Sequence, residues 1–430
     1  MNRRRERGQA LVLAAALAAA LVITWLLVFN VGQLVNTKLK LNVAADAAAY
    51  SAAVWEARSL NYEAYLNRGI VANEVAIAQL VSLRSWSGYL DRLLTNTSTV
   101  SQVIPPLGRV VAALSTSWRG VDRGLQSGLP PLEVALSHWN NDALSHAQAL
   151  AHQQAPIAAA ELAEDVARLT VPEARVATLT RPFQAANGAA WQRYSQIERH
   201  GSGELREFID VLAASRDGFA ANRAFDAVPA NPLLTAPKRG GTEIIGEYAW
   251  RGADTFALHA NLLLSNVETP LGWGAAESRR HAQRQQGDHG DSRRVNPRTT
   301  RLALAAANVR DGYLGVPEVR DLRGAPTTDE ARLGYVTVLE LPGAAVDTAD
   351  RLLGVDAIED ASGVRHSLAS GLHDGRMFAL GAAELYFERP EARRDGREEK
   401  PSLFSPYWQA RLAARPVGGL RVLTAAGGGP

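Results

Sequence analysis

The histidines and acids of this chain are the side chains that could bind a metal ion or activate water. His281, Asp288 and His289 lie close together in an arginine-rich stretch, but their spacing fits no pair of ligands on successive helical turns. His138 and His146 are also too far apart to lie on adjacent turns of a helix. The chain has no cysteine, which excludes thiol catalysis, disulfides and cysteine-ligated zinc. We therefore predict no metal or cofactor site.

Nucleophilic catalysis has equally weak support. No serine lies in a GxSxG sequence, and no glycine-rich phosphate loop occurs. The carboxylates Glu161, Glu164 and Asp165 fall together on a predicted helix, where they are typical of a solvated face. We predict no catalytic residues and keep a membrane-tethered hydrolase only as an alternative. Such a hydrolase would have to assemble a site from scattered histidines: His259, His366 and His373.

An uncharged apolar segment from Ala10 to Phe29 is the clearest signal in the chain. Thr24 is its only clearly polar residue. At about 1.5 Å per residue, a helix of this length matches a hydrocarbon core of roughly 30 Å, so we predict a transmembrane helix over residues 10–31. A cleaved secretory signal is the competing interpretation. Its apolar core is usually about 7–15 residues long, and the sequence after Phe29 offers a poor cleavage site.

Basic residues before the apolar segment predict its orientation. The tail of residues 1–9 has four arginines, whereas two lysines follow the far end of the segment. Basic residues beside a span stay in the cytoplasm. The N-terminus is therefore predicted to be cytoplasmic, and most of the chain to lie in a bacterial periplasm. The residues that set this topology are Arg3, Arg4, Arg5 and Arg7.

Small residues on either side of the apolar segment are candidates for close helix packing. Alanine lets helix backbones approach closely, so an alanine-rich helix leaving the membrane is suited to contact with another helix. Asp46 is a lone acid in this run, and it either faces water or pairs with a basic residue. The predicted helix-packing residues are Gly8, Gln9, Ala44, Ala45, Asp46, Ala47, Ala48 and Ala49.

Composition and residue pattern predict an α+β fold. The net charge of +2 gives no basic field that would attract nucleic acid. Residues 32–228 are predicted to continue the transmembrane helix into a long periplasmic helix and a helical bundle, with a loop at 95–101 and further helices beginning at Pro105, Pro130 and Pro156. Residues 229–430 are predicted to hold a mostly antiparallel sheet.

Five segments of the second half predict strands, because each is rich in aromatic or β-branched residues and is bounded by glycine, proline or charges. A basic stretch at 276–301 contains seven arginines and almost no apolar residue. We predict that it is an exposed or disordered loop. The predicted strands are 242–250, 255–264, 334–341, 377–387 and 407–413.

Two short motifs flank the apolar segment: Arg7-Gly8-Gln9-Ala10 before it and Val-Ala-Ala-Asp-Ala-Ala-Ala at 43–49 after it. This arrangement resembles the TadG-like (TadE/TadG) proteins of the Tad/Flp pilus-assembly system. Residues 65–76, 239–243 and 405–412 are similar to the larger members of that family. The resemblance implies a non-enzymatic, single-pass inner-membrane protein that helps to assemble or anchor a pilus.

The resemblance also implies the partners of the protein, namely the lipid bilayer and other membrane proteins of a pilus or secretion machinery. Association with further copies of the same chain, as a homo-oligomer, is also compatible with the resemblance. The alternative function is that of a minor pilin or pseudopilin incorporated in the fibre. Gly8-Gln9 is similar to a prepilin-peptidase site, but Leu13 replaces the acid usual five residues later, so we expect no cleavage. We expect Ala48→Arg or Ala49→Arg to block assembly without preventing membrane insertion.

Overall fold

A computed structural model describes residues 6–101, 105–228, 233–262, 265–280, 291–324, 326–328, 330–353, 358–359, 365–366 and 375–414. The chain divides into two compact units, each containing helices and strands. The predicted α+β fold is therefore confirmed. Unit 1 comprises Met1–Tyr62, Ala151–Ser195 and Leu322–Pro430, and unit 2 comprises Glu63–Leu150 and Gln196–Asp321. Short strands precede the predicted boundary at residue 228 and short helices follow it, and each unit contains residues from both sides of that boundary.

The first helix of the described residues, α1, is 96 residues long. In chain order, the helices of the described residues are α1 Glu6–Ser101, α2 Pro105–Gly128, α3 Pro130–Ala135, α4 Asp142–Thr170, α5 Arg181–Tyr194, α6 Gly203–Ser215, α7 Gly218–Ala221, α8 Ser292–Val295, α9 Pro297–Ala305 and α10 Ala349–Leu353. A π-helical turn, Leu136–Asn141, joins α3 to α4, and 3₁₀ turns lie at Thr178–Thr180 and Gly343–Ala345.

The strands pair mainly antiparallel, as predicted. They are β1 Arg175–Val176, β2 Ser195–Glu198, β3 Phe225–Asp226, β4 Leu234–Thr235, β5 Pro237–Ile245, β6 Ala249–Leu262, β7 Ser265–Arg279, β8 Asn308–Asp311, β9 Val319–Leu322, β10 Leu333–Pro342, β11 Ile358–Glu359, β12 Arg365–His366, β13 Arg376–Phe387 and β14 Trp408–Leu412. Unit 1 holds a four-stranded sheet of order β1-β10-β13-β14. Unit 2 holds a six-stranded sheet of order β3-β5-β6-β7-β8, in which β4 pairs with β6 and only β7–β8 is parallel.

Four local predictions are wrong. The predicted strand 242–250 covers two strands, because a turn at 246–248 separates β5 from β6. Residues 95–101 continue α1 instead of forming a loop, and α4 runs through Pro156, so the helices predicted on either side of this proline are one. The basic stretch is not a single loop, because residues 276–279 complete β7 and residues 292–305 form α8 and α9. Its centre, 281–290, lies outside the described residues. The end of β7 is held by pairing with β6 on one side and β8 on the other, which local composition does not reveal.

The sheet of unit 1 is buried on both faces. Tyr335, Leu339 and Leu341 of β10 pack in one cluster with α1 and α4, whereas Val336 and Val338 pack with the segment that leads into α5. This division follows from the alternation of side chains along a strand. The helices contribute mainly alanines to the first cluster: Ala44, Ala45, Ala48, Ala49, Ala52 and Ala53 from α1, with Ala155, Ala159, Ala163 and Ala167 from α4.

In unit 2, the second half of α1 packs on strand glycines. A Cβ atom at Gly274 would lie 2.3 Å from the carbonyl oxygen of Ser85, and one at Gly272 would lie 2.9 Å from the Cβ of Leu93. At Gly252 the corresponding distance to the Cβ of Ser85 is 3.0 Å. The helix and sheet backbones are therefore in direct contact, which only glycine on the strand permits.

A buried ionic cluster lies at the same helix–sheet contact of unit 2. The carboxylate of Asp254 accepts hydrogen bonds from Arg223 Nε at 2.8 Å, Lys238 Nζ at 2.5 Å and Ser85 Oγ at 2.6 Å. Burial favours the neutral acid, but the two cations outweigh it and hold the pKa of Asp254 below its ordinary value. The rings of Tyr89 and Phe219 lie 5.2 Å and 5.1 Å from the Lys238 and Arg223 charges.

The cluster explains the Arg-Gly-Gly-Thr-Glu segment at 239–243. A Cβ atom at Gly240 would lie 2.4 Å from Asp254 Oδ1, and one at Gly241 would lie 2.8 Å from the carbonyl oxygen of Ala221. Thr242 shares a hydrogen bond of 2.7 Å with Ser82 of α1. Within this chain, the glycines of the segment therefore make room for the buried charge of Asp254 and for the end of α7, and its threonine is bonded to α1.

Candidate assembly surface on the long helix

The apolar start of α1 has no protein around it. Every residue from Ala10 to Trp25 is exposed. This is the one helix among the described residues that is long and apolar enough to cross a membrane, and its most apolar window has a mean hydropathy of 2.7 with none of it buried. Arg7, Gly8 and Gln9 lie in the first turns of α1, while Arg3, Arg4 and Arg5 lie outside the described residues.

The alanines that follow are buried inside unit 1. Ala44, Ala45, Ala48 and Ala49 have no exposed surface. On β13, which crosses beneath them, a Cβ atom at Gly381 would lie 1.9 Å from the carbonyl oxygen of Ala45. Alanine on the helix and glycine on the strand therefore let the two backbones touch. Within this chain, the close contact expected of the alanines is made with the protein's own sheet.

The opposite face of α1 carries the exposed apolar side chains. Val35, Leu39 and Val43 are 52%, 58% and 62% exposed, and they recur every four residues, so they lie along one side of the helix. We call the face formed by Val31, Val35, Leu39, Val43 and Tyr50 the outer stripe. It continues from the apolar start of the helix to a point about 30 Å beyond Phe29 at ~1.5 Å per residue.

Asp46 and Ala47 are only partly buried, unlike the alanines around them. By helical periodicity, Asp46 falls between Val43 and Tyr50 on the outer stripe. The predicted helix-packing segment therefore has two sides with different surroundings. Its alanines at 44, 45, 48 and 49 complete the core, while Asp46 and Ala47 border the outer stripe. An arginine at Ala48 or Ala49 would enter the core, so loss of assembly in such a variant would not report on a partner.

The body of unit 1 reaches α1 as far as the end of its apolar run. Asn30, the residue after Phe29, accepts a hydrogen bond through Oδ1 from the backbone N–H of Ala349 at 2.7 Å. Lys38 donates from Nζ to the carbonyl oxygen of Phe378. These contacts and that of Ala45 with Gly381 follow one another along the helix, so α10 and the sheet of unit 1 together lie beside α1 over about 15 residues, roughly 22 Å.

Glu56 is a buried acid on the same helix. Its side chain is 2% exposed in the alanine-rich part of unit 1. Burial raises its pKa from 4.5 to about 8, so the neutral acid predominates at pH 7. In unit 2, burial raises the pKa of Glu74 to about 7, although Trp250, Tyr313 and Asn141 each donate a hydrogen bond of 2.7 Å to its carboxylate.

Glu56→Gln is expected to remove part of the pH dependence of stability. A group whose pKa is higher in the folded protein binds more protons there, so the wild type loses stability as the pH rises from 4.5 towards 8. Between pH 7 and 8 the loss from Glu56 is roughly 1 kcal/mol. Urea unfolding of the full chain in detergent should show this loss in the wild type and in the exposed control Glu161→Gln, but not in Glu56→Gln. Equal slopes in all three would contradict the burial of an acid at this position.

The histidines and acids considered for catalysis are dispersed. Among the residues with described positions, no group of three His, Asp or Glu side chains could hold a metal ion. His138 contacts the carbonyl oxygen of Gly312, and His259 is buried against Asn296. Glu164 pairs with Arg168 on the surface of α4. The residues His281, Asp288, His289 and His373 lie outside the described residues.

Sequence reasoning did not single out Gly381, Asn30, Glu56 or Asp254. Gly381 had a usable signal, because an isolated glycine inside a strand often marks a close backbone approach. Glu56 and Asp254 had none, since a buried acid looks like a surface acid until the fold supplies its neighbours.

The comparisons with known proteins place one segment of the chain in a family. Residues 8–55 match the family model of Flp pilus-assembly TadE/G-like proteins, named Tad. The resemblance drawn from the sequence is therefore confirmed over this segment, which covers the apolar start of α1, the buried alanines and the outer stripe. The searches of curated proteins and of solved structures returned no match.

Proposed function

Because a Tad pilus-assembly segment forms the first half of α1, we propose that the protein is a non-enzymatic, single-pass component that assembles or anchors a Tad/Flp-type pilus. The helix over residues 10–31 would anchor it in the bacterial inner membrane, with the arginine-rich tail in the cytoplasm and both units in the periplasm. Other membrane proteins of the machinery would be its partners.

The outer stripe is the observation that supports this proposal most directly. Its side chains are apolar and exposed, and the stripe lies wholly within the family segment. Exposed apolar side chains arranged on one helix face are suited to a partner helix. The buried alanines hold α1 against the sheet on its other side. The sheet thus presents the outer stripe as a rigid surface next to the membrane, with Asp46 as the one acid at its edge.

Leu39→Arg and Val43→Arg are expected to abolish piliation while the protein stays folded in the membrane. A charge buried in a helix interface costs about 2 kcal/mol or more, which corresponds to a loss of over tenfold in binding. Pili would be counted on cells in which the variant replaces the wild type. Membrane fractionation and protease resistance would show that insertion and folding are retained.

Leu412→Arg is the matched control, because Leu412 is 55% exposed in the same unit but lies on β14. Normal piliation in Leu39→Arg and Val43→Arg cells would overturn the role of the outer stripe.

Shearing the same cells addresses the alternative of a minor pilin. Protein with a C-terminal tag should stay in the inner-membrane fraction, and recovery with the sheared fibres would favour the minor pilin.

A further inference from the structure

The short helix α10 lies beside α1 where the apolar run ends. Ala349, the first residue of α10, donates its backbone N–H to Asn30, which follows the last apolar residue of the run, Phe29. Leu352 and Leu353 come within one turn of Ala349, so they lie no more than about 6 Å further along α10. They therefore lie at the level where the membrane boundary falls if residues 10–29 span it.

Both leucines are turned away from the protein. Leu352 is 62% exposed and Leu353 is 65% exposed, whereas Ala349 is buried. Most of the apolar surface of these two adjacent leucines is therefore left in contact with solvent, which is unfavourable in water, as it is for the apolar start of α1. The neighbouring Arg351 is also exposed, and it donates to the carbonyl oxygen of Ala344.

We propose that α10 is a second membrane contact, in which Leu352 and Leu353 enter the headgroup layer of the periplasmic leaflet. The inference rests on the membrane anchor of the proposed function. A headgroup layer is about 5–8 Å deep on each side of the hydrocarbon, which two leucines one turn from Asn30 can reach. Arg351 beside them is an exposed cation that can lie among lipid phosphates while the leucines are inserted.

A bilayer fits this surface better than a protein partner does. The leucines lie beside the end of the exposed apolar run of α1, and a bilayer that covers this run would extend to them. Asn30 fixes α10 to α1, so both elements would meet the membrane as one rigid piece. The contact would fix the orientation of the sheet of unit 1 relative to the membrane surface. It would also fix the distance of the outer stripe from that surface.

Single cysteines allow a direct test, because the chain has none of its own. The full chain with Leu353→Cys, or separately Leu352→Cys, would be labelled with a fluorophore and reconstituted in vesicles of phosphatidylcholine and phosphatidylglycerol. Quenching by nitroxide-labelled lipid is then measured. We expect quenching at residue 353 within about twofold of that at Leu21→Cys in the apolar run.

Leu412→Cys is the control, because this position lies far from the proposed membrane contact. Leu412 pairs with Ala383, which lies two residues beyond Gly381 on β13, so it is further from Asn30 than Ala45 is, which lies about 22 Å away by helix rise. We expect its quenching to be at least about fivefold weaker than that at residue 353. Quenching at Leu21 with none at residues 352 and 353 would overturn this inference and leave the anchor intact. Absence of quenching at Leu21 would overturn the anchor and the inference together.

Discussion

Replacement of Gly381 by alanine is expected to destabilise unit 1 strongly. The added Cβ would lie 1.9 Å from the carbonyl oxygen and 2.3 Å from the carbonyl carbon of Ala45. Both are backbone atoms of α1, so no side-chain rotation can relieve the overlap, and the helix must move off the sheet. Overpacking usually costs about 1–3 kcal/mol, and displacement of a backbone should place this variant at or above about 3 kcal/mol.

Gly334→Ala on the neighbouring strand β10 provides the control. Nothing lies within 4 Å of the Cβ that this change adds, so its effect should stay within about 1 kcal/mol. Urea unfolding and limited proteolysis of the full-length protein in detergent would measure both variants. Equal stability of Gly381→Ala and Gly334→Ala would show that α1 is not seated on β13 at Ala45.

The sequence predicts those elements of the fold whose signal is local. The long helix followed from an unbroken run without proline, and β10 and β13 followed from their branched and aromatic residues to within about two residues, the usual error of such boundaries. The strand β7 was missed as a whole, because its glycines and small residues give it little β-propensity. The glycines at 272 and 274 are required by contact with α1. That contact joins segments far apart in the sequence, so the local sequence around β7 does not reveal it.

The sequence predicts close packing along residues 44–49 but does not identify what packs there. Alanine at 44, 45, 48 and 49 indicates that something lies close to the helix, and it does not say whether that neighbour is another protein or a distant part of the same chain. The structure supplies β13, more than 300 residues later in sequence. The sequence does not distinguish the exposed Val35, Leu39 and Val43 from the buried alanines, because apolar residues occur on every side of this helix.

Asp254→Asn is expected to have the second large effect on stability, in unit 2. The change keeps the volume of the side chain but leaves Arg223 and Lys238, which are 4% and 2% exposed, without their counter-ion. Removal of one partner from a buried ion pair typically costs about 3–5 kcal/mol. The matched control is Asp226→Asn, which breaks the ion pair with Arg239 on the same sheet. Since Asp226 is 64% exposed, that loss should not exceed about 1 kcal/mol.

The pH dependence of Asp254→Asn separates an unpaired buried charge from lost packing. Burial already lowers the pKa of Lys238, and the charge of Asp254 opposes that shift. Without Asp254 the pKa of Lys238 should fall further, so the unfolded chain would bind the additional proton. A group whose pKa is depressed on folding makes stability rise with pH, so the deficit of Asp254→Asn should shrink between about pH 7 and 10. A deficit that stays constant over this range, measured by urea unfolding, would mean that Lys238 does not depend on Asp254 for its charge.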